Sequence, residues 1–562
     1  MKLRKGAFSF LFFICLLVSV LAVTGWFSST SSFGAEDVNS RSLYYQGELL
    51  SERGYDLNGS PYVPVSVIQR YGDLEGITFD TAAKKMQIDL AKQSILMADD
   101  ITTNFVKTYG GTVYIPLREI DGTLYCPLNT AEQLVKLSPS LSANAIRMFS
   151  YSGTETIARI NSDGVSLTSS LTEKNRQITI PLTKGEMVTV ESETDSYFKI
   201  STQSGTTGYV MKPSLTIADV DLAEIDFYAP KKEKNLPSGE KINIVWQYVG
   251  AVTPPAPEQK HAGIDVLAPT WFDLIVDGDG NIENNGDLAY TANAHNKGYK
   301  VWATITNNMS TKGSTAFTTK VLSNSALLNR SVAQYLFYAC LYDADGINID
   351  YEQVVDSDAA GLTAFTALLR NYTERQGLVL SIDTLIPKPW TIEYDRAALS
   401  RYVDYLAVMT YDEHYSTSPV AGSVASLPWV EEAIVNTLKE VPEEKILLGV
   451  PMYTRVWVVD SNGKVIRNPS ASMPYVQTLI AEKNLTPIWL EKEKQNFVSY
   501  ANGAYTDKIW VEDARSIANR LDLVRKYDLA GSACWQFSQA SPEIWDVFSA
   551  MLKNGRPMSD YQ

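Results

Sequence analysis

Asp345-Gly-Ile-Asn-Ile-Asp-Tyr-Glu352 decides how the chain is read. Ile347 and Ile349 alternate with Asn348 and Asp350, the two-residue period of a strand. An extended segment sends Asn348, Asp350 and Glu352 to one face, with about 6.6 Å of rise between successive members. Asp345 has the other parity and is expected to support the strand end. Two carboxylates confined on one face cannot both ionise cheaply. One of them is therefore a candidate proton donor near neutral pH. A buried polar network or a metal site is the alternative. The lack of histidine in the stretch and its Ile-x-Ile framework favour acid–base chemistry.

Working outward, similar apolar runs recur at Ile242 to Tyr248, Ile264 to Ala268, Tyr299 to Ile305, Leu378 to Asp383, Val403 to Tyr411, Lys445 to Tyr453 and Gly531 to Phe537. With the run at 346–352 they make eight strands. Amphipathic stretches fill the gaps; Ile517, Leu521 and Val524 share one helical face after a cap at Asp513. Eight βα units over 242–556 predict a closed (β/α)8 TIM barrel, with its working site at the C-terminal ends of the strands. Arg455 to Trp510 is too long for a plain βα connection and has hairpin-like runs of its own. It is expected to be a small α+β insertion walling one side of the cleft.

The chain has 562 residues, 45% hydrophobic and 20% charged, which predicts several ordinary globular domains. Lysine plus arginine number 49 against 64 acidic residues, a net charge of −15 that argues against a nucleic-acid partner. His261, His295 and His414 stand far apart, and Cys15, Cys126, Cys340 and Cys534 form no CxxC. No zinc or other metal site, thiol oxidoreductase, disulfide scaffold or cofactor is indicated. Lys2, Arg4 and Lys5 precede an uncharged run from Ala7 to Phe27. Residues 1–35 are expected to be a signal anchor, uncleaved because Phe33 spoils the nearest small-x-small site. The rest of the chain would then lie outside the membrane, anchored there or secreted to the envelope.

Between anchor and barrel two small domains are expected. Tyr62-Val-Pro-Val-Ser-Val-Ile, Tyr114-Ile-Pro-Leu-Arg-Glu-Ile and Tyr125-Cys-Pro-Leu repeat one phrase within 42–145. This part resembles the small α+β stalk domain at the N-terminus of copper amine oxidases, without copper-ligand histidines, and so reads as a spacer or wall-contacting module. Lys184-Gly-Glu-Met-Val-Thr-Val, Tyr197-Phe-Lys-Ile and Gly208-Tyr-Val fall in 154–217, a small all-β barrel by their spacing. They are similar to phrases of the bacterial SH3-type domain, members of which bind peptidoglycan peptides. Residues 228–241 read as a solvated linker.

The octad at 345–352 resembles the DxxDxDxE signature of glycoside hydrolase family 18, the chitinase and endo-β-N-acetylglucosaminidase family. The likeness continues through Met409-Thr-Tyr-Asp412, Leu448-Gly-Val-Pro-Met-Tyr453-Thr-Arg455, Trp510-Val-Glu-Asp513 and Ala533-Cys-Trp-Gln-Phe537. It implies substrate-assisted retaining catalysis, in which the sugar's 2-acetamido oxygen attacks the anomeric carbon. Carried over by position, Glu352 is the acid and base, Asp350 accepts the acetamide N–H, Tyr411 donates to its carbonyl, and Asp412 contacts the distorted sugar. Trp535 would stack on that sugar, with Asn348, Met409, Tyr453 and Arg455 as further substrate-binding positions. One departure stands out: Asn348 occupies the place of the signature's second aspartate, and its neutrality is expected to leave Asp350 more firmly ionised.

Asparagine there, beside an SH3-type module, resembles the spore-cortex and cell-wall lytic branch. The expected partner is a polysaccharide containing N-acetylglucosamine, peptidoglycan of the bacterial cell wall first of all. Chitin or glycoprotein glycans are the rival substrates. A chitinase-like lectin that binds without cutting is the rival class, disfavoured by the presence of Glu352.

Overall fold

The computed structural model describes residues 38–150, 156–172, 179–202, 206–217, 225–226 and 241–561. The expected anchor at 1–35 and all but the last residue of the expected linker at 228–241 lie outside them. Among the described residues no helix is long and apolar enough to cross a membrane.

Eight parallel strands form the barrel: β1 Ile242–Gln247, β2 Val266–Leu274, β3 Lys300–Thr306, β4 Gly346–Asp350, β5 Val379–Leu385, β6 Tyr405–Met409, β7 Ile446–Pro451 and β8 Gly531–Trp535. Each pairs with the next, and β1 pairs with both β2 and β8, which closes the ring. Inward side chains fill it. Ile242, Ile244, Trp246, Val266, Ala268, Trp302, Tyr405, Leu447 and Ala533 make one buried cluster, in which the Trp302 and Tyr405 rings stack 5.7 Å apart. A barrel packed in this way is a floor for a site rather than a channel. Gly346 opens β4 because a β-carbon there would sit 2.8 Å from both the Trp302 ring and the Val379 carbonyl.

The outward face of β4 meets helices. Tyr351 stacks on Phe365 at 5.0 Å, and its hydroxyl pairs with that of Tyr335. Asp513 caps the helix Ala514–Lys526 in a capping box with Ser516, and Ile517, Leu521 and Val524 are fully buried on it. Between β7 and that helix lies a five-stranded antiparallel sheet, 465–467, 457–459, 505–511, 495–502 and 488–490 in spatial order, accompanied by the helix Met473–Glu482.

The chain divides into two compact units, and the segment expected as a stalk contributes to both. Residues 74–116 belong with the barrel. Their helix Asp100–Tyr109 packs on the barrel helix Ser325–Leu341, and Phe105 stacks on Tyr372 at 4.1 Å. The Tyr114 backbone N–H donates to the Tyr338 hydroxyl, and Asn284 donates to both the hydroxyl and the carbonyl of Tyr114. The other unit holds two seven-stranded sheets. In one, strands Ser60–Pro64 and Thr123–Pro127 each lead through proline into a short helix, which accounts for two of the repeated Tyr-x-Pro phrases. The other, within Thr156–Ile217, surrounds Ile160, Leu167, Ile200 and Val210.

Asp345 supports the strand from its N-terminal end, as its parity predicts. Its carboxylate accepts from the Val301 backbone N–H at 2.9 Å and meets His295 Nε2 at 2.6 Å and Lys300 Nζ at 3.4 Å. Hydrogen bonds to Asp343 and Asp345 push His295 up to about 9. A group raised on folding stabilises while protonated in both states, so this contribution is full below about 6.5 and is gone above about 9. We therefore expect the wild-type melting temperature to fall between pH 6.5 and 9, and His295→Gln to flatten that slope. A variant with the wild-type slope would show that the pair contributes nothing.

Candidate active site

At the C-terminal ends of the strands a pocket of about 220 Å³ is lined by Trp246, Asp350, Glu352, Asp383, Leu385, Met409, Tyr411, Asp412, Tyr453 and Trp535. Its position follows from strand parity: β4 delivers Asp350, and Glu352 follows two residues on. The strand ends at Asp350, so Glu352 needs other restraints. Asn307, fully buried just beyond β3, supplies them. Its Nδ2 donates to the Glu352 carbonyl at 2.7 Å, and its Oδ1 accepts from the Glu352 N–H at 3.1 Å. From the other side the Tyr394 hydroxyl donates to the Tyr351 carbonyl at 2.8 Å.

Burial dominates the electrostatics. It pushes Glu352 up, with Asp412 adding to the shift. It pushes Asp350 well up as well, followed by the charges of Glu352, Asp383 and Asp273. Contrary to expectation, the neutrality of Asn348 does not by itself leave Asp350 firmly ionised. One like charge is absent, but the site is buried and β5 brings another acid, Asp383, also raised by burial. Burial and the carboxylates of Asp383 and Asp350 likewise hold the Tyr411 phenol well above its ordinary range, so it remains a donor.

Met409 ends β6, and Thr410 anchors the turn beyond it by donating to the Gly449 carbonyl at 2.6 Å. Asp412 takes a left-handed conformation, φ 60°, that aspartate tolerates. Its Oδ1 accepts from the Tyr453 hydroxyl at 2.6 Å and lies 3.6 Å from Arg455 Nη2. From the ends of β8 and β1, Trp535 and Trp246 stand 6.2 Å apart, tilted by 55°, giving the pocket an aromatic wall.

Of the expected positions, Glu352, Asp350, Tyr411, Asp412, Trp535, Tyr453 and Met409 line the pocket. Asn348 and Arg455 do not. Asn348 is buried and saturated: its Oδ1 accepts from Trp246 Nε1 at 2.8 Å and Thr304 Oγ1 at 3.1 Å, while its Nδ2 donates to Ser381 Oγ at 3.0 Å and Asp383 Oδ1 at 2.9 Å. Arg455 backs Asp412 and donates to the Asn468 carbonyl. Trp246, Asp383 and Leu385 line the pocket without having been anticipated. Parity reaches all three, since Trp246 continues the Ile242, Ile244 series and Asp383 and Leu385 follow Ser381 on the same face of β5.

A half-buried acid beside a deeper carboxylate, with a phenol donor and aromatic walls, can protonate a leaving oxygen and steady a neighbouring cation. Residues 264–540 match the family described as "Glycosyl hydrolases family 18". The uncharacterized glycosylase YvbX of Bacillus subtilis is 26% identical over 301 residues, 51% of this chain and 84% of that protein. The cortical fragment-lytic enzyme of the same organism is 27% identical over 251 residues, which cover 42% of this chain and only 57% of the relative. The crystal structure of the spore cortex-lytic enzyme SleL from Bacillus megaterium QM B1551 shares the fold, with a TM-score of 0.50 and 18% identity, covering 67% of this chain and 79% of that one. The barrel of this chain is thus a glycosidase domain, whose residues 264–540 match glycoside hydrolase family 18.

Proposed function

We propose that the chain cleaves β-1,4 linkages that follow N-acetylglucosamine, in peptidoglycan, with the sugar's own 2-acetamido group as nucleophile. The observation that carries this reading is the pair at the end of β4: Glu352, just beyond the strand, and the deeper Asp350 face one pocket and are both raised by burial. Glu352, protonated at rest, gives its proton to the leaving glycosidic oxygen as the acetamide oxygen closes on the anomeric carbon. Asp350 accepts the acetamide N–H and balances the positive oxazolinium ion. Tyr411 donates to the acetamide carbonyl, and Asp412, held by Tyr453, contacts the strained ring. Glu352, now a carboxylate, takes a proton from the water that opens the intermediate, which restores the starting state.

Trp535 and Trp246 supply stacking surfaces for the apolar faces of the sugar. A chain of net charge −15 acting on an anionic wall must rely on such contacts rather than on charge attraction. The name of the cortical fragment-lytic relative supports a wall substrate. In the same reading the 154–217 sheet is an SH3-type wall-contacting module, the parts of 42–145 outside residues 74–116 supply a stalk, and residues 1–35 anchor the enzyme on the outer side of the membrane.

Glu352→Gln should lower turnover of fluorogenic N,N′-diacetylchitobioside by about 10²–10⁴ while the protein stays folded; a wild-type rate would refute the assignment. Substrates with a free amine at C2 should be hydrolysed poorly, and equal rates on acetylated and deacetylated sugars would point to a nucleophile from the enzyme. Muropeptide analysis of digested sacculi should show new N-acetylglucosamine reducing ends, whereas digestion of chitin alone would move the substrate away from the wall. Asn307→Ala, which frees both backbone groups of Glu352, should cut kcat by about 10²-fold through misplacement of the acid. KM should change little, which separates loss of position from loss of binding.

A further inference from the structure

The inner end of the pocket holds three acids, Asp350, Glu352 and Asp383, and its lining residues include no lysine or arginine to balance them. β4 and β5 run in register from the pair Gly346–Val379 to the pair Ile349–Ile382. One step further brings Asp350 beside Asp383, on neighbouring strands about 4.8 Å apart.

The amide beneath them settles which oxygen does what. An indole N–H can only donate, and that of Trp246 donates to Asn348 Oδ1, so the Asn348 end that meets Asp383 Oδ1 is its NH2 group. Oδ1 of Asp383 is therefore an acceptor, and a proton on this acid belongs on Oδ2. Asp350 Oδ1, in turn, is buried and has no hydrogen-bond partner, a costly state for a carboxylate oxygen. A neutral acid on the adjoining strand would supply the missing donor.

We propose that Asp383 is a positioning residue that stays protonated and donates its Oδ2–H to Asp350, leaving Asp350 as the single anion facing the substrate's acetamide. The acetamide part of this statement rests on the function proposed above. Burial raises Asp383 and outweighs the lowering effect of the Asn348 hydrogen bond, and Glu352 adds a smaller upward push. The titratable groups facing it are Asp350 and Glu352 from β4, Tyr411 beyond β6 and Tyr394 beyond β5, all of which oppose a charge on Asp383 or are neutral phenols. The Asp383 proton is not consumed. Glu352 gives one proton to the leaving oxygen and recovers one from water, so Asp383 carries its own throughout the cycle.

The test uses the full chain and the chitobioside substrate. Asparagine mimics the neutral acid, since its NH2 replaces the O–H and its carbonyl still accepts from Asn348. Asp383→Asn should keep kcat/KM within about threefold of wild type and extend activity to higher pH, whereas Asp383→Ala should lose about tenfold or more in kcat with KM little changed. An asparagine variant as impaired as the alanine variant, or an alanine variant at the wild-type rate, overturns the proposal. Infrared spectroscopy decides the protonation state without turnover. At neutral pH the Glu352→Gln protein should show a protonated carboxyl band that disappears in the Glu352→Gln, Asp383→Asn double variant; a spectrum unchanged by the second substitution also overturns it. A wild type that fails to cleave the chitobioside would instead sink the acetamide reading, and the infrared result would still assign the proton.

Discussion

The site depends on the cost of keeping charge where water is largely excluded. Above the aromatic and aliphatic interior that includes Trp302 and Tyr405, the acids Asp350 and Asp383 on β4 and β5 are buried. Several carboxylates at such a place cannot all ionise, so protons are retained near neutral pH that would be lost in water. The same condition that threatens stability makes a general acid available. The barrel pays for the site with neutral hydrogen bonds. Asn348 is the clearest case, using all four of its amide bonding positions on protein groups around one buried point.

β4 was legible in the sequence because what matters there is local. Alternation over five residues fixes the faces of Asn348 and Asp350, and the same parity rule puts Asp345 with the supporting groups. Seven of the eight barrel strands lie where apolar runs predicted them, β2 shares only residues 266–268 with its run at Ile264 to Ala268 and continues to Leu274, and Asp513 caps its helix as expected. The behaviour of Asp350 was not legible, because it depends on a lateral neighbour. Asp383 stands 33 positions away in sequence, and only the β4–β5 register shows that it falls beside Asp350. A signature read within one strand registers the missing charge at Asn348 and cannot see the acid brought in by the next.

Asn307 and residues 74–116 were illegible for a related reason. A single asparagine after a strand has no pattern around it, and its value lies in two backbone groups 45 residues distant. The strand-and-turn phrases in 74–116 predict local structure but do not say what it packs against. Phe105 and Tyr114 settle that by meeting Tyr372, Tyr338 and Asn284. The catalytic unit is consequently larger than the eight βα repeats, and a boundary drawn at Ile242 would strip buried tyrosine contacts from its helices.

The loop that presents Asp412 shows how the insertion serves the barrel. Beyond Asp412, Glu413 accepts from the Ser426 N–H, and His414 Nδ1 bonds the Ser423 carbonyl at 2.7 Å. Ser423 donates to Gln495 of the inserted sheet, Gln495 donates to Glu512, and Glu512 pairs with Arg520 in a fully buried two-point contact. Arg520 closes the circuit by donating to the Ala425 carbonyl through two nitrogens. A buried ion pair adds little net stability over an apolar pair of the same size. Its geometry is demanding, however, because removing either partner strands the other charge away from water. It lies where the β6 loop, the insertion and the helix Ala514–Lys526 meet, and it ties the three together. Tyr453 and Arg455, at the entrance to the inserted segment, then meet Asp412, so the approach to the insertion holds this acid while Asn307 holds the backbone of the proton donor.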